Sequence, residues 1–416
     1  KKKILIIGNG AREYALAKKL SGQHEVFVVP ESDTIKEFAT CADIRCDSVA
    51  EILEFVLENG IDMTIPVSET ALKSDIVSVF NANNQAIFSP SKKSSKRLFD
   101  KAFAKKIMYK LRIPTPKFGI FEKENMAIDY IKNQRVPFVL KTNNPKSSVV
   151  LTSALSAKNI IASDLSNKDY KIIIEDYIYG STFSFYTITD GYKALPIGSS
   201  ILYKHSLEGD GGQLTEGMGA CVPNYKLTLE QEYFLMDNVI YPTLEYLESE
   251  GTSYLGILGI NGIITTDGKI QVLGWKSFTQ DCDTASILDM LDEDLYNLFE
   301  SCIIGSFSDE VERIHLKDRY SVSLVLSCKN KENNANVING IENLSEDTII
   351  TFYPNTTKNR YLEYEASTGA AMSISCSAPT AATASEHVYA EAAEINYSGI
   401  SYRKDIVKQP ADFILL

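Results

Sequence analysis

Short apolar runs alternate with segments of helical spacing over the first 90 residues of this chain. The apolar runs lie at residues 3–7, 26–29, 63–67 and 86–90, and the helical patterns lie at 11–20 and 49–58. Strands that alternate with helices favour a parallel sheet, because parallel neighbours need a crossover connection. We therefore predict an N-terminal parallel α/β unit over residues 1–100.

The remainder of the chain predicts α+β structure. Helical patterns occupy residues 92–111, 126–133, 228–249 and 382–393, and strand patterns occupy 137–142, 171–177, 183–189, 192–197, 254–265 and 270–273. A glycine-rich loop is predicted at residues 209–219, and strand patterns dominate from residue 320 onward. A chain of 416 residues is expected to form roughly two to four packed units.

Charge and apolar pattern limit the classes of partner. The formal net charge of −12 opposes binding to nucleic acid or to an anionic membrane. No apolar run approaches the ~20 residues of a membrane-spanning helix, and the first residues lack the apolar stretch of a signal peptide. Seven scattered cysteines without a CxxC pair favour reduced thiols over a zinc site. We expect a cytoplasmic protein that binds neither nucleic acid nor membrane.

The turn Gly8-Asn9-Gly10 joins the first strand to the first helix. Glycines at such a turn let backbone N–H groups approach a phosphate at the helix N-terminus, and Arg12 would add positive charge. A tight turn without a ligand is the alternative, since any α/β protein contains similar turns. A dinucleotide-binding dehydrogenase is disfavoured, because the third glycine and the acidic residue on the second strand are missing.

Several motifs in order along the chain resemble those of phosphoribosylamine–glycine ligases. They are the turn sequence Ile-Gly-Asn-Gly-Ala-Arg-Glu at residues 7–13, Ile-Phe-Ser-Pro-Ser-Lys at 87–92, Asp-Lys-Ala-Phe-Ala-Lys at 100–105, Ile-Pro-Thr-Pro at 113–116, Pro-Phe-Val-Leu-Lys at 137–141, the loop at 210–220, and Tyr-Arg-Lys-Asp-Ile at 402–406. The resemblance covers essentially the whole chain, and the motifs together are far more specific than any one of them.

The resemblance implies a fold and a reaction. The family has an N-terminal α/β domain, a pair of ATP-grasp modules that enclose ATP, and a small C-terminal domain. We therefore expect an α/β and α+β multidomain protein, with divisions at residues 1–100, 101–320 and 321–416 and a smaller flap module inserted at about 117–195. The implied reaction is the joining of glycine to 5-phosphoribosylamine in purine synthesis, with ATP and Mg2+ as the expected cofactors.

The resemblance also implies roles for individual residues, although no catalytic residue is assigned. ATP binding is implied for Lys101, Lys141, Glu175 and Ile178. Substrate binding is implied for Asn9, Gly10, Arg12, Glu69, Lys204, Asp210, Gly217, Met218, Gly219 and Asp281.

Four regions depart from the family pattern. The family's two magnesium ligands, Glu and Asn, are replaced by Gly274 and Lys276, and an arginine that holds a substrate anion is replaced by Phe278. The glycine-rich nucleotide flap becomes a glycine-free segment at residues 141–149, where Lys146 is a partial substitute at best, and the ribose-binding glutamate becomes Thr182. A C-terminal arginine is replaced by Ala370.

The magnesium position is the most affected. An ammonium group ~4 Å from a unit positive charge costs roughly 4 kcal/mol at an effective dielectric constant of ~20, and a divalent ion costs about twice that. Magnesium binding is therefore doubtful. A shift in the alignment with the family motif would remove this replacement of the metal ligands. However, Asp267-Gly268-Lys269 matches the family before the strand and residues 281–284 match it afterwards, so the alignment can shift little.

Three hypotheses follow from this pattern. The first is that the chain is an active ligase in which Lys276 acts as a fixed ammonium in place of one magnesium ion. Alternatively, it is a catalytically degenerate homologue that acts as a binding or interaction protein, or a ligase that changed its substrate or phosphate donor.

Overall fold

A four-stranded parallel sheet forms the N-terminal unit, as the alternating pattern predicts. The computed structural model describes residues 1–142, 148–166, 170–329 and 336–408. The elements are β1 (Lys3–Ile7), α1 (Ala11–Ser21), β2 (Glu25–Val29), β3 (Thr40–Cys41), α2 (Val49–Asn59), β4 (Met63–Pro66), α3 (Glu69–Leu72) and α4 (Ile76–Ala82). The strand order is β3-β2-β1-β4, and every pair is parallel. The strand predicted at residues 86–90 is reduced to one parallel bridge between Thr64 and Ile87.

The single helix predicted at residues 92–111 is wrong, because the structure contains two helices there. These are α5 (Lys92–Phe99) and α6 (Lys101–Lys110), and Asp100 between them has an extended backbone. The Asp100 carboxylate accepts a hydrogen bond of 2.8 Å from the Phe103 N–H, so it caps α6. As a result, Lys101 is the first residue of a new helix.

The smaller module is a four-stranded antiparallel sheet with two helices. Its elements are β5 (Phe118–Phe121), α7 (Glu124–Lys132), β6 (Phe138–Thr142), β7 (Ser148–Leu151), α8 (Ala154–Leu165) and β8 (Ile172–Asp176), in strand order β5-β8-β6-β7. The predictions of α7, β6 and β8 are confirmed, whereas β5, β7 and α8 were missed. Residues 143–147 of the predicted flap, including Lys146, lie outside the described residues.

One long sheet spans the rest of the chain. The remaining elements are β9 (Gly180–Thr189), β10 (Ala194–Leu202), β11 (His205–Leu207), β12 (Gly211–Leu214), β13 (Gly219–Val222), α9 (Leu229–Leu235), α10 (Tyr241–Ser249), β14 (Gly256–Thr265), β15 (Ile270–Lys276), α11 (Thr284–Met290), α12 (Leu295–Ile304), α13 (Phe307–Glu310), β16 (Tyr320–Cys328), β17 (Ile349–Phe352), β18 (Thr357–Lys358), β19 (Tyr364–Glu365), β20 (Gly369–Ala378), α14 (Ala381–Ala392) and β21 (Ile400–Ser401). The order β15-β14-β9-β10-β13-β16-β20-β17 is antiparallel throughout, and β21 pairs with β16. Because β13 pairs with β16, the sheet continues across residue 320.

Both predicted hairpins of this sheet are confirmed, and so are the helices near residues 228–249 and 382–393. The first of these helical segments is α9, a π-helical turn at Met236–Ile240, and α10. The loop predicted at 209–219 instead contains the strand β12, which pairs with the preceding strand β11 in a short hairpin that places His205 opposite Leu214. Across the part of the chain that the structure describes, no helix is both long and apolar enough to cross a membrane.

A buried arginine attaches the β11–β12 hairpin to the end of the chain. The Arg403 side chain is 2% exposed and binds Asp405 in a bidentate manner, at 2.8 and 2.7 Å. Its remaining N–H groups donate to the Asp210 carboxylate and to the His205 carbonyl oxygen, each at 3.1 Å. The motif at 402–406 therefore has a structural role.

Replacing Arg403 by alanine should lower the free energy of unfolding by about 2 kcal/mol, since hydrogen bonds between charged groups contribute about that much. Urea unfolding measures the change. The matched control is Arg45→Ala, because Arg45 is 80% exposed in its pair with Asp47 and should contribute less than about 0.5 kcal/mol. Equal effects of the two substitutions would contradict the structural role of Arg403.

Candidate active site

The Glu13 carboxylate packs against the turn between β1 and α1. Gly8 has φ +129°, and a Cβ atom there would lie 2.2 Å from Oε1 of Glu13. A Cβ atom at Gly10 would lie 2.8 Å from Oε2 of the same side chain. Glu13 is 3% exposed, and burial raises its pKa. These glycines are therefore required by close packing inside the protein, whatever the turn binds.

Arg12 joins the N-terminal unit to the loop at residues 279–283. Its backbone N–H donates to Oδ1 of Asp281 at 3.0 Å, and its Nε lies 3.9 Å from the same oxygen. The guanidinium group also donates to the carbonyl oxygens of Val67, at 3.3 Å, and Thr279, at 3.5 Å. Two of the predicted substrate residues, Arg12 and Asp281, therefore lie together.

A buried hydrogen-bond network around Asp283 holds the loop at residues 279–283 in place. Asp283 is fully buried and accepts hydrogen bonds from the Tyr186 hydroxyl at 2.6 Å, the Ser200 hydroxyl at 2.8 Å and the Gln280 backbone N–H at 2.8 Å. The Gln280 amide donates in turn to the Ser184 hydroxyl at 2.7 Å and the Asn261 side-chain oxygen at 3.1 Å. Burial raises the pKa of Asp283 to about 6, although the bonds from Tyr186, Gln280 and Ser200 oppose the shift.

Glu175 connects the smaller module to α6. Its carboxylate is 1% exposed and forms ion pairs with Lys141 of β6 and, at 2.8 Å, with Lys105 of α6. Lys105 also donates to the Thr115 hydroxyl at 2.7 Å. Burial tends to raise the pKa of Glu175, but the two lysines hold it below the ordinary value. Burial lowers the pKa of Lys105 to about 8.

The charge of Lys141 acts on three further lysines, Lys101, Lys204 and Lys276, and we call the region that these four lysines share the cleft. Burial, followed by the Lys141 and Lys276 charges, lowers the pKa of Lys101 to about 8. Burial and Lys276 lower the pKa of Lys204 to about 8 in the same way. Burial lowers the pKa of Lys276 as well, although the carboxylates Glu216 and Glu69 oppose the shift. Each of these ammonium groups is therefore close enough to another cation to disfavour its charge.

The strand β15 carries Gly274 and Lys276, the two positions at which the family resemblance implies metal ligands. Lys276 lies opposite Gly259 in the antiparallel pair, and Gly259 lies opposite Tyr186 on the next strand. Gly274 has no side chain, and no atom lies within 4 Å of a Cβ atom built there. Among the described residues, no group of three or more His, Cys, Asp or Glu side chains is arranged to hold a metal ion. Magnesium does not fit this donor set.

Phe278 stands where the family resemblance implies an arginine that holds a substrate anion. Its side chain is 4% exposed and packs in an apolar core with Ile188, Ile257 and Leu288. This apolar side chain offers no charge to a substrate anion.

Two family models match the chain. The phosphoribosylglycinamide synthetase N domain matches residues 2–96, and the phosphoribosylglycinamide synthetase ATP-grasp (A) domain matches residues 99–284. The chain belongs to the phosphoribosylglycinamide synthetase family. The family resemblance and the ATP-grasp assignment made from the sequence are therefore confirmed.

Curated relatives of the chain are named phosphoribosylamine–glycine ligase, and solved structures share its fold. Proteins named phosphoribosylamine–glycine ligase from Caldanaerobacter subterraneus subsp. tengcongensis and Halalkalibacterium halodurans are each 28% identical to the chain. The alignments cover 97% of this chain and 99% or 96% of the relative. The crystal structure of the Thermotoga maritima phosphoribosylamine–glycine ligase aligns with a TM-score of 0.80 at 20% identity, over 97% of this chain and 100% of that one. Campylobacter jejuni biotin carboxylase aligns at 0.71 and 13% identity, over 96% and 92%.

The remaining residues implied by the family resemblance fall into two groups. Glu69 at the start of α3 acts electrostatically on Lys101 and Lys276, so it lies near the cleft. Asp210, by contrast, is bound to Arg403, and Asn9 donates to the Glu31 carbonyl oxygen at 3.2 Å.

The loop before β13 packs against the 279–283 loop. A Cβ atom at Gly217, where φ is +130°, would lie 2.3 Å from Sγ of Cys282. Met218 is buried and bonds through its backbone to Tyr203 and Val325, and Gly219 begins β13. Ile178 follows β8 and is partly buried.

Sequence reasoning missed Lys105, Glu216 and Asp283. Lys105 stands four residues after Lys101 on α6, so helical spacing was the available signal for it. Glu216 and Asp283 had no comparable signal, because only the packing of distant loops reveals their neighbours.

The titration of Asp283 predicts a pH dependence of stability. Because its folded-state pKa lies above the ordinary value, its contribution is fully present below about pH 4 and is lost as the pH rises through about 6. From pH 4 to 7, the free energy of unfolding of the wild type should fall by about 2 kcal/mol relative to Asp283→Asn. Chemical unfolding at a series of pH values measures this difference. Asp309→Asn, which removes an exposed carboxylate, should keep the wild-type profile; parallel profiles for wild type and Asp283→Asn would contradict the raised pKa.

Proposed function

We propose that the chain is a phosphoribosylamine–glycine ligase of purine biosynthesis whose catalysis is impaired. The observation that supports this proposal is a group of cations around Lys276, whose charge acts on Lys101 and Lys204 and is acted on by Lys141 and Arg12. Arg12 in turn binds Asp281, and the chain is similar to such ligases over 97% of its length. A cytoplasmic location, expected from the sequence, stays a prediction.

The reaction places clear demands on this cleft. A glycine carboxylate oxygen attacks the terminal phosphorus of ATP, and ADP leaves. The amine of 5-phosphoribosylamine then attacks the acyl carbon, inorganic phosphate leaves, and the amine loses a proton. Positioned cations stabilise the transferring phosphoryl group. Lys101, Lys141 and Lys204 would supply these charges, and the Arg12–Asp281 pair would position the substrates.

Impairment follows from the absence of metal ligands. In this family Mg2+ held by side chains at the positions of Gly274 and Lys276 would neutralise the charge that develops on the transferring phosphoryl group. The side chains at 274 and 276 offer no oxygen ligand, and Phe278 lies in the core. The lysine charges must act without that support, so the chemical step should be slow.

A catalytically inactive homologue that acts as a binding protein is the second candidate. The Lys276 ammonium at a family metal position favours it, because this substitution repels a cation as well as removing a ligand.

Purified protein should release ADP over repeated turnovers only when both glycine and 5-phosphoribosylamine are present, because only the amine consumes the acyl phosphate. We expect a turnover of about 0.1 per second or less, against a median near 10 per second for enzymes. Complementation of a strain that lacks the glycine-ligating step should be weak. No ADP release and no growth would favour the inactive homologue, and rapid growth with turnover near the enzyme median would show that catalysis is not impaired.

Restoring the two family residues should restore metal binding. The double variant Gly274→Glu, Lys276→Asn should bind Mg2+ in the presence of ATP at least tenfold more tightly than the wild type, because a carboxylate replaces open space and a repelling charge is removed. Calorimetry with magnesium chloride measures the affinity.

The matched control is Gly274→Gln, Lys276→Asn, which has the same size but no carboxylate. It should gain less than the Glu-containing variant. Equal magnesium affinity in wild type and the Glu-containing variant would mean that the metal position has been placed wrongly.

A further inference from the structure

Three lysines in the cleft form no ion pair with a carboxylate in the part of the chain that the structure describes. Within the ranges that the structure describes, the Nζ atoms of Lys101, Lys204 and Lys276 form neither an ion pair within 4 Å nor a hydrogen bond. All three side chains are partly buried. Partly buried ammonium groups without partners are costly, and their convergence on one cleft indicates a site for an anion.

The acidic groups of the cleft are already engaged or exposed. Glu175 is bound by Lys105 and Lys141, and Asp281 is bound by Arg12. Glu216 and Glu69 act electrostatically on Lys276 but are exposed to solvent, which screens their charge. Among the described residues, neither carboxylate that acts on Lys276 is buried.

The position of Lys276 decides which anion is preferred. It lies on β15 two residues after Gly274, at a position where the family resemblance implies a metal ligand, and it places an ammonium there. A ligand that brings its own cation to this point is repelled, whereas the same ligand without the cation gains a charged hydrogen-bond partner.

We propose that this cleft binds the triphosphate of ATP as the metal-free anion, with the Lys276 ammonium in place of magnesium, so that Mg2+ weakens nucleotide binding. The proposal rests on the proposed function, which makes the cleft a nucleotide site. It reverses the metal dependence expected of the family. Inorganic tripolyphosphate shares the chemistry that is recognised and should bind in the same way without the adenine ring.

The test is calorimetry of the full chain with ATP, once in EDTA and once in excess magnesium chloride at matched ionic strength. We expect binding in EDTA and an apparent Kd at least tenfold weaker in magnesium. Tripolyphosphate should also bind more tightly in EDTA than in magnesium chloride. Equal or tighter binding of ATP in magnesium would overturn the inference and leave the proposed function standing, whereas no binding of ATP in either buffer would overturn both.

Two variants assign the effect to Lys276. Lys276→Gln should weaken ATP binding in EDTA at least tenfold and reduce the difference between the buffers. Lys106→Gln removes an exposed lysine from α6 and should change neither affinity. Thermal unfolding checks that both variants are folded; an unchanged difference between the buffers in folded Lys276→Gln would overturn the role of Lys276.

Discussion

The cleft of this protein depends on one buried carboxylate that holds two lysines. Glu175 lies on β8 of the smaller module, and its ion pairs reach Lys141 on the adjacent strand and Lys105 on α6. Removing either lysine would leave a buried charge without full compensation, which is the costly case for ion pairs in protein interiors. The same contact fixes the smaller sheet against the helix that starts with Lys101. The position of that lysine in the cleft therefore depends on a carboxylate far away in sequence.

The loop at residues 279–283 attaches the N-terminal unit to the long sheet in a similar way. Asp283 anchors it to the long sheet through Tyr186 and Ser200, and Asp281 binds Arg12 of the N-terminal unit. The substituted positions lie close to this loop along the chain, and the fold accommodates each of them. Phe278 enters the apolar core, and Gly274 leaves open space. The packing of this loop therefore needs neither a charged side chain at position 278 nor any side chain at position 274.

Particular residues show how much of the structure could be predicted from the sequence. The turn at Gly8 and Gly10 was correctly placed between a strand and a helix, but its glycines also make room for Glu13, which no local pattern indicates. Asp100 was read as the interior of one helix, whereas its side chain ends α5 and caps α6. Asp210 was grouped with the substrate residues by resemblance, and the structure pairs it with Arg403 almost two hundred residues later. In each case the deciding contact comes from a side chain whose direction the local pattern does not specify.

The sequence by itself determined the family and the parallel N-terminal sheet, and it predicts the loss of the magnesium ligands. These depend on residue identity and on periodicity, both of which can be read directly. Only the tertiary structure decided which charges meet. It showed that Lys105 and Lys141 share Glu175, whereas Lys101, Lys204 and Lys276 converge without such a partner among the residues described. The physical reason is that electrostatic energy depends on distance and burial, which are set when remote segments pack together.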